Sequence, residues 1–167
     1  MKTVRKLIFC ALLAALTCVA TMLIRVPLAL NGYLNLGDAL VLLSGALLPM
    51  PYAFCAAGVG SALADLFSGY VIYAPFTLLI KGAMALVLRA VYLLYQRKGR
   101  RFGFFVGALL AEPLMIGGYL VLEGILYGFI PALASVPFNA LQSVVGIFVG
   151  CLLERLLKKQ SIERPLL

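Results

Sequence analysis

Ionisable and amide side chains that interrupt apolar runs mark where this sequence could do chemistry. The stretch from Asn31 to Lys81 carries Asn31, Asn35, Asp38, Asp65 and Lys81 in almost wholly apolar surroundings. Ionisable groups are costly in hydrocarbon and persist there when paired or functional. Asp65 is expected near the outer end of a third helix, and Lys81 about two turns into a fourth. Consecutive antiparallel helices could let the two meet, and a pair is far cheaper than two separate charges. Two roles stay open for Lys81: half of a structural ion pair with Asp65, or a direct contact to substrate.

A second set lies later. Tyr119 and Glu123 are spaced i, i+4, and Asn139 and Gln142 are spaced i, i+3, so each pair shares a helical face. Together they could form a polar pocket open to the outside. Such a pocket suits a small heterocycle, oriented by carboxylate and amides and stacked on tyrosine. The alternative is hydrogen bonding between helices as glue. Glu112 falls in mid-helix in AEPLMIGG, beside Pro113, which frees a backbone carbonyl and permits a kink.

The absences narrow the chemistry. The sequence holds no GxxxxGK[ST], HExxH or GxSxG motif, and no histidine. No catalytic residues are expected, and any energy from ATP must come from partner subunits. An intramembrane enzyme using Asp65 and Glu112 would need the two carboxylates within reach of one substrate, yet their expected depths lie in different halves of the bilayer. Cys10, Cys18, Cys55 and Cys151 are far apart within apolar runs, so they read as small core residues. Neither a metal site nor a cofactor is expected.

These groups must be positioned by membrane helices. The chain has 167 residues, 64% hydrophobic and 12% charged, against about 45–50% and about 25% in soluble domains. The apolar runs are long, without the alternation of a barrel strand. The fold class is therefore an all-α integral membrane protein, read as one domain over residues 1–167. The net charge of +8 is placed at the flanks of spans. Lys2, Arg5 and Lys6 precede the first run; Arg97, Lys98, Arg100 and Arg101 form one loop; Arg155, Lys158, Lys159 and Arg164 follow the last. That placement follows the positive-inside rule and argues for lipid headgroups over nucleic acid. The N-terminal run resembles a secretory signal but continues through Met22 to Ile24, so it reads as an uncleaved first helix.

With all three basic clusters cytoplasmic, an even number of spans separates each pair. Breaks at 25–35, 48–51, 68–75 and 124–137 then give six transmembrane helices, about 4–24, 36–48, 52–68, 74–95, 102–124 and 133–157, with N- and C-termini cytoplasmic. The second is too short for an ordinary span and is expected to be tilted or partly interfacial. Glycines and alanines of the third helix, Gly58 and Gly60 among them, form a packing surface. In the first helix Ala11 and Ala15 form AxxxA, which permits close docking of a partner helix.

The runs NGYLNLGDALVLLSGALL and GVGSALADLFSGYVIYAPFTLLIKG resemble the substrate-binding S components of energy-coupling factor (ECF) vitamin transporters. The closest subgroup is the riboflavin, hydroxymethylpyrimidine and pyridoxine type. The resemblance covers most of the chain and is strongest from Asn31 to Gly82. It departs from many relatives at the second turn, where LPMPYAF replaces a Gly-Pro. It implies a six-helix bundle in a bacterial or archaeal cytoplasmic membrane, with an outward pocket covered by the loop after helix one. Asn31, Tyr33 and Asn35 become lid candidates, and Asp38, Tyr73 and Lys81 join Tyr119, Glu123, Asn139 and Gln142 as candidate substrate contacts. Ala11 and Ala15 match the motif that docks on the transmembrane coupling subunit, and two cytoplasmic ATPases complete the complex. Transport is expected by toppling of the whole subunit. The absence of tryptophan argues against a thiamine pocket built on indole stacking; a small pyridine or pyrimidine is expected, pyridoxine slightly ahead of hydroxymethylpyrimidine. Riboflavin or another heterocycle is an alternative, as is a stand-alone proton-coupled carrier using Asp65 or Glu112.

Overall fold

In hydrocarbon every backbone N–H and C=O must be satisfied inside its own segment, which commits these apolar runs to helices. The computed structural model describes residues 2–23, 25–27, 33–100 and 102–159. Helix α1 spans Lys2–Leu23. Two short antiparallel strands follow, β1 Arg25–Pro27 and β2 Tyr33–Asn35, paired Arg25 to Asn35. Then come α2 Gly37–Leu47, α3 Met50–Phe67, α4 Ala74–Arg97 and α5 Gly103–Tyr127. A single-turn α6, Phe129–Ala132, and a 3-10 turn, Leu133–Ser135, lead into α7, Val136–Lys159. The six expected helices are present within a few residues of their expected bounds; the hairpin and α6 were not expected.

Among the described residues, α1, α3, α4, α5 and the α6–α7 segment are long and apolar enough to cross a membrane. Helix α2 is not: eleven residues at ~1.5 Å each span about 16 Å, roughly half of a ~30 Å hydrocarbon core. Ten of its eleven residues are buried, so it is the central post of the bundle. Its composition explains this: with hydrophobic, small and only two polar side chains, it has no face for water. Apolar side chains from α3, α4 and α5 pack with it in one core that includes Val41, Leu42, Ala57, Met84, Leu88 and Met115.

Small residues set the closest approaches. A Cβ added at Gly60 of α3 would lie 2.5 Å from the Ala14 carbonyl oxygen of α1, and one at Gly58 would lie 2.6 Å from that of Leu78 on α4. The expected packing surface on α3 therefore serves two neighbours at once. Helix α1 keeps its other face uncovered: Ala11 and Ala15 are exposed, flanked by exposed Ile8, Leu12, Leu16 and Val19. Pro113 lies inside α5 without ending it. The four cysteines are free thiols.

Candidate substrate-binding site

Helix α2 stops halfway, and the space beyond its N-terminus is a polar cavity with about 500 Å³ of empty volume, part of it open. Its lining comes from every long element around it: Thr21 of α1, Asn35 of β2, Ser61 and Asp65 of α3, Tyr70 and Tyr73 of the α3–α4 turn, Thr77 and Lys81 of α4, Tyr119 and Glu123 of α5, and Asn139 and Gln142 of α7. The two pairs expected to share faces, Tyr119 with Glu123 and Asn139 with Gln142, do converge. Thr77 precedes Lys81, and Ser61 precedes Asp65, by one helical turn. These lining hydroxyls were missed, though the i, i+4 spacing carried the signal.

The ionic arrangement corrects the expected pairing. Lys81 forms its ion pair with Asp38, not with Asp65. Both partners are almost fully buried, Asp38 at 0% and Lys81 at 3% exposure. The reason lies in α2. Asp38 sits in its first turn, where the helix dipole favours an anion, and the short helix delivers that turn into the middle of the bundle beside α4. Asp38 lies beneath the cavity rather than in its lining, while Asp65 is in the lining.

Around this pair the hydrogen bonds are specific. Gln142 Nε2 donates to Asp38 Oδ2 at 2.6 Å. Gln142 Oε1 accepts from the Asn35 backbone N–H at 2.9 Å and from Asn35 Nδ2 at 3.4 Å. Asn35 Oδ1 accepts from the Gly37 N–H at 2.8 Å, satisfying a donor at the start of α2. The Lys81 ammonium lies 5.6 Å from the Tyr119 ring centroid, and the Tyr119 hydroxyl is 3.0 Å from Thr77 Oγ1. Burial pushes the Tyr73 phenol above its ordinary range, with a hydrogen bond to Tyr127 and the Glu123 charge adding to the effect.

Two carboxylates are left with unused acceptors. Glu123 is 3% exposed, lines the cavity, and its Oε2 has no hydrogen-bond partner among the described residues. Glu112 is 2% exposed, and neither of its oxygens has one. It is not in the cavity lining. It lies against Gly146 of α7, whose bare Cα also faces Asp38, and the neighbouring Ser143 hydroxyl donates to the Asn139 carbonyl at 2.9 Å. Tyr33 falls on β2, while Asn31 lies outside the described residues. Among the described residues no cluster of histidine, cysteine, aspartate or glutamate could hold a metal ion.

The opposite end of α2 carries a feature that sequence reasoning missed. Arg89, two turns after Lys81 on the same face of α4, is 5% exposed, and its Nη1 donates to the Ala46 carbonyl at 2.9 Å. One turn on, the Tyr92 hydroxyl donates to Glu154 of α7 at 3.2 Å, and Lys158 pairs with that same carboxylate. An arginine in the middle of an otherwise apolar run was the available signal.

A family model for ECF-type riboflavin transporter S components matches residues 1–159. An uncharacterized protein of Pyrococcus woesei is 38% identical over 144 residues, 85% of this chain and 94% of that one. The thiamine precursor transporter HmpT of Lactococcus lactis subsp. cremoris is 28% identical over 163 residues, 96% of this chain and 92% of that one. A solved structure of the S component of a bacterial ECF transporter superposes with a TM-score of 0.76 at 24% identity, covering 94% of this chain and 97% of that one, and shares the fold.

Proposed function

The chain belongs to the ECF-type S-component family of membrane transport proteins, and on that premise we propose that it captures a small, single-ring vitamin precursor in the cavity above α2. The observation that carries this reading is the buried Glu123 carboxylate, facing the cavity with an oxygen to spare. A buried acceptor without a partner favours a ligand that brings N–H or O–H donors. Asn139 and Asp65 add polar groups, and Tyr119 offers a ring face. An aminopyrimidine satisfies this set: its amine donates to carboxylate and its ring stacks on tyrosine. Similarity to a thiamine precursor transporter supports the same choice, so hydroxymethylpyrimidine moves ahead of pyridoxine as first candidate.

The test is calorimetry and native mass spectrometry on the purified chain in detergent with hydroxymethylpyrimidine, pyridoxine and riboflavin. Hydroxymethylpyrimidine should bind tightest. Glu123→Gln should weaken it at least ~10-fold, about 1.4 kcal/mol, and Asn139→Ala should weaken it less, both without loss of thermal stability. Preferential binding of riboflavin, or full affinity in Glu123→Gln, defeats the proposal.

Delivery in this reading uses the uncovered face of α1. Ala11 and Ala15 dock on a transmembrane coupling subunit driven by two ATPases, in a cell membrane with both termini cytoplasmic, and the subunit topples to release its load. Ala15→Trp should abolish uptake in cells carrying the coupling proteins while leaving affinity in detergent unchanged; Ala11→Trp should do the same. Uptake that persists without the ATPases and collapses with the proton gradient would favour a stand-alone carrier instead.

A further inference from the structure

Gln142 lines the cavity, yet its amide is already committed. Its oxygen accepts from the Asn35 backbone N–H, which can only donate, and its nitrogen donates to the Asp38 carboxylate. A flipped amide would set N–H against N–H and oxygen against carboxylate, so the partners fix its orientation. We propose that Gln142 is a latch, a positioning residue that ties strand β2 of the lid to the Asp38–Lys81 ion pair, and not a contact to substrate.

Four elements are joined through this one side chain. Asn35 sits on β2, Gln142 on α7, Asp38 on α2 and Lys81 on α4. The carboxylate divides its two oxygens: Oδ1 faces Lys81 and Oδ2 faces Gln142. Lys81 has three ammonium donors, gives one to Asp38, and borders the cavity. A bound molecule that places an acceptor atom at Lys81 therefore engages the same hydrogen-bonded chain that holds β2. In a site shielded from water, linked hydrogen bonds strengthen one another, so occupancy at Lys81 tightens the hold on the lid strand. Asn35 reinforces the base of the lid, because its Oδ1 also caps the Gly37 N–H.

The kinetic half of this inference rests on the cavity being the substrate site; the structural half does not. Hydrogen exchange on the full chain in detergent, without ligand, reads the Asn35 amide directly. Gln142→Leu should speed exchange in residues 33–36 at least ~10-fold, and Gln142→Asn, one methylene too short to reach both partners, should do the same if the first variant fails to fold. Asn139→Ala, a cavity residue outside the chain of bonds, should leave exchange unchanged. With radiolabelled hydroxymethylpyrimidine, the Gln142 variants should release ligand at least ~10-fold faster while association is unchanged. Unchanged exchange in both variants overturns the latch. Faster exchange with unchanged release overturns its control of the ligand. If the pyrimidine does not bind the wild-type chain, the functional proposal falls and the exchange measurement still decides the latch.

Discussion

The two ends of α2 solve the same problem in opposite ways. At each end α4 supplies a buried cation eight residues apart on one face, Lys81 toward the first turn and Arg89 toward the last. Both positions suit the helix dipole in part: an aspartate at the start, with lysine as its counter-ion, and an arginine on a C-terminal carbonyl. Beyond Arg89, the Tyr92–Glu154–Lys158 contacts close the bundle. Beyond Lys81, the helices part around a cavity whose lining includes a spare carboxylate oxygen. One end is closed by its own side chains. The other is left open around polar groups. In a subunit proposed to topple as a body, the closed end keeps the helices in register while the open end holds the load.

The sharpest way to break this contrast is to strip Lys81 of its partner. Asp38→Ala leaves an ammonium buried without a counter-ion, which should cost ~3–5 kcal/mol. It should appear as a large fall in melting temperature in detergent. A neutral pair, Asp38→Asn with Lys81→Met, should recover most of that loss. If Asp38→Ala proves harmless, the pair does not organise the cavity end, and Lys81 must be satisfied elsewhere.

Arg89 tests the closed end with a smaller expected effect. Arg89→Leu removes a charged hydrogen bond to Ala46, a loss of ~1.5–3 kcal/mol. It also removes a buried Nε that has no partner among the described residues, which offsets part of that loss. The variant should melt lower than wild type but higher than Asp38→Ala, with ligand affinity within about 2-fold. A drop in affinity as large as that of Glu123→Gln would show that the two ends are not separate in function.

How much of this was legible beforehand follows from what a sequence encodes. Span number and bounds were readable because hydropathy and breakers act locally: Pro49 and Pro51 bracket one turn, and Gly69 and Pro75 another. The faces of α5 and α7 that meet in the cavity were readable from helical spacing alone. What could not be read was the partner of Lys81. Spacing places side chains on a face but says nothing of which helix lies opposite, and adjacency in sequence favoured Asp65. The decisive fact, that the eleven-residue α2 is the innermost helix, is a packing outcome. The hairpin residue Asn35 bonds to Gln142, 107 residues away, a separation that no local pattern reports.

The smallest expected effect is the most diagnostic of the open end. Glu112 sits on α5 with two unpartnered oxygens, across Gly146 from Asp38, where a lysine already balances one carboxylate. If this carboxyl were part of a finished network, its loss would resemble that of Asp38. The geometry says otherwise: among the described residues no well-formed hydrogen bond reaches its oxygens, and it does not line the cavity. Glu112→Gln keeps the shape and removes the ionisable group, so stability should hold or rise by up to ~1 kcal/mol, because a neutral amide is no harder to bury than a carboxyl group without well-formed hydrogen bonds. Ligand affinity in detergent should stay within about 2-fold. A loss of ~3 kcal/mol or more in the melting experiment would mean that Glu112 is bonded as firmly as Glu154 is at the closed end. The contrast between the two ends of α2 would then dissolve.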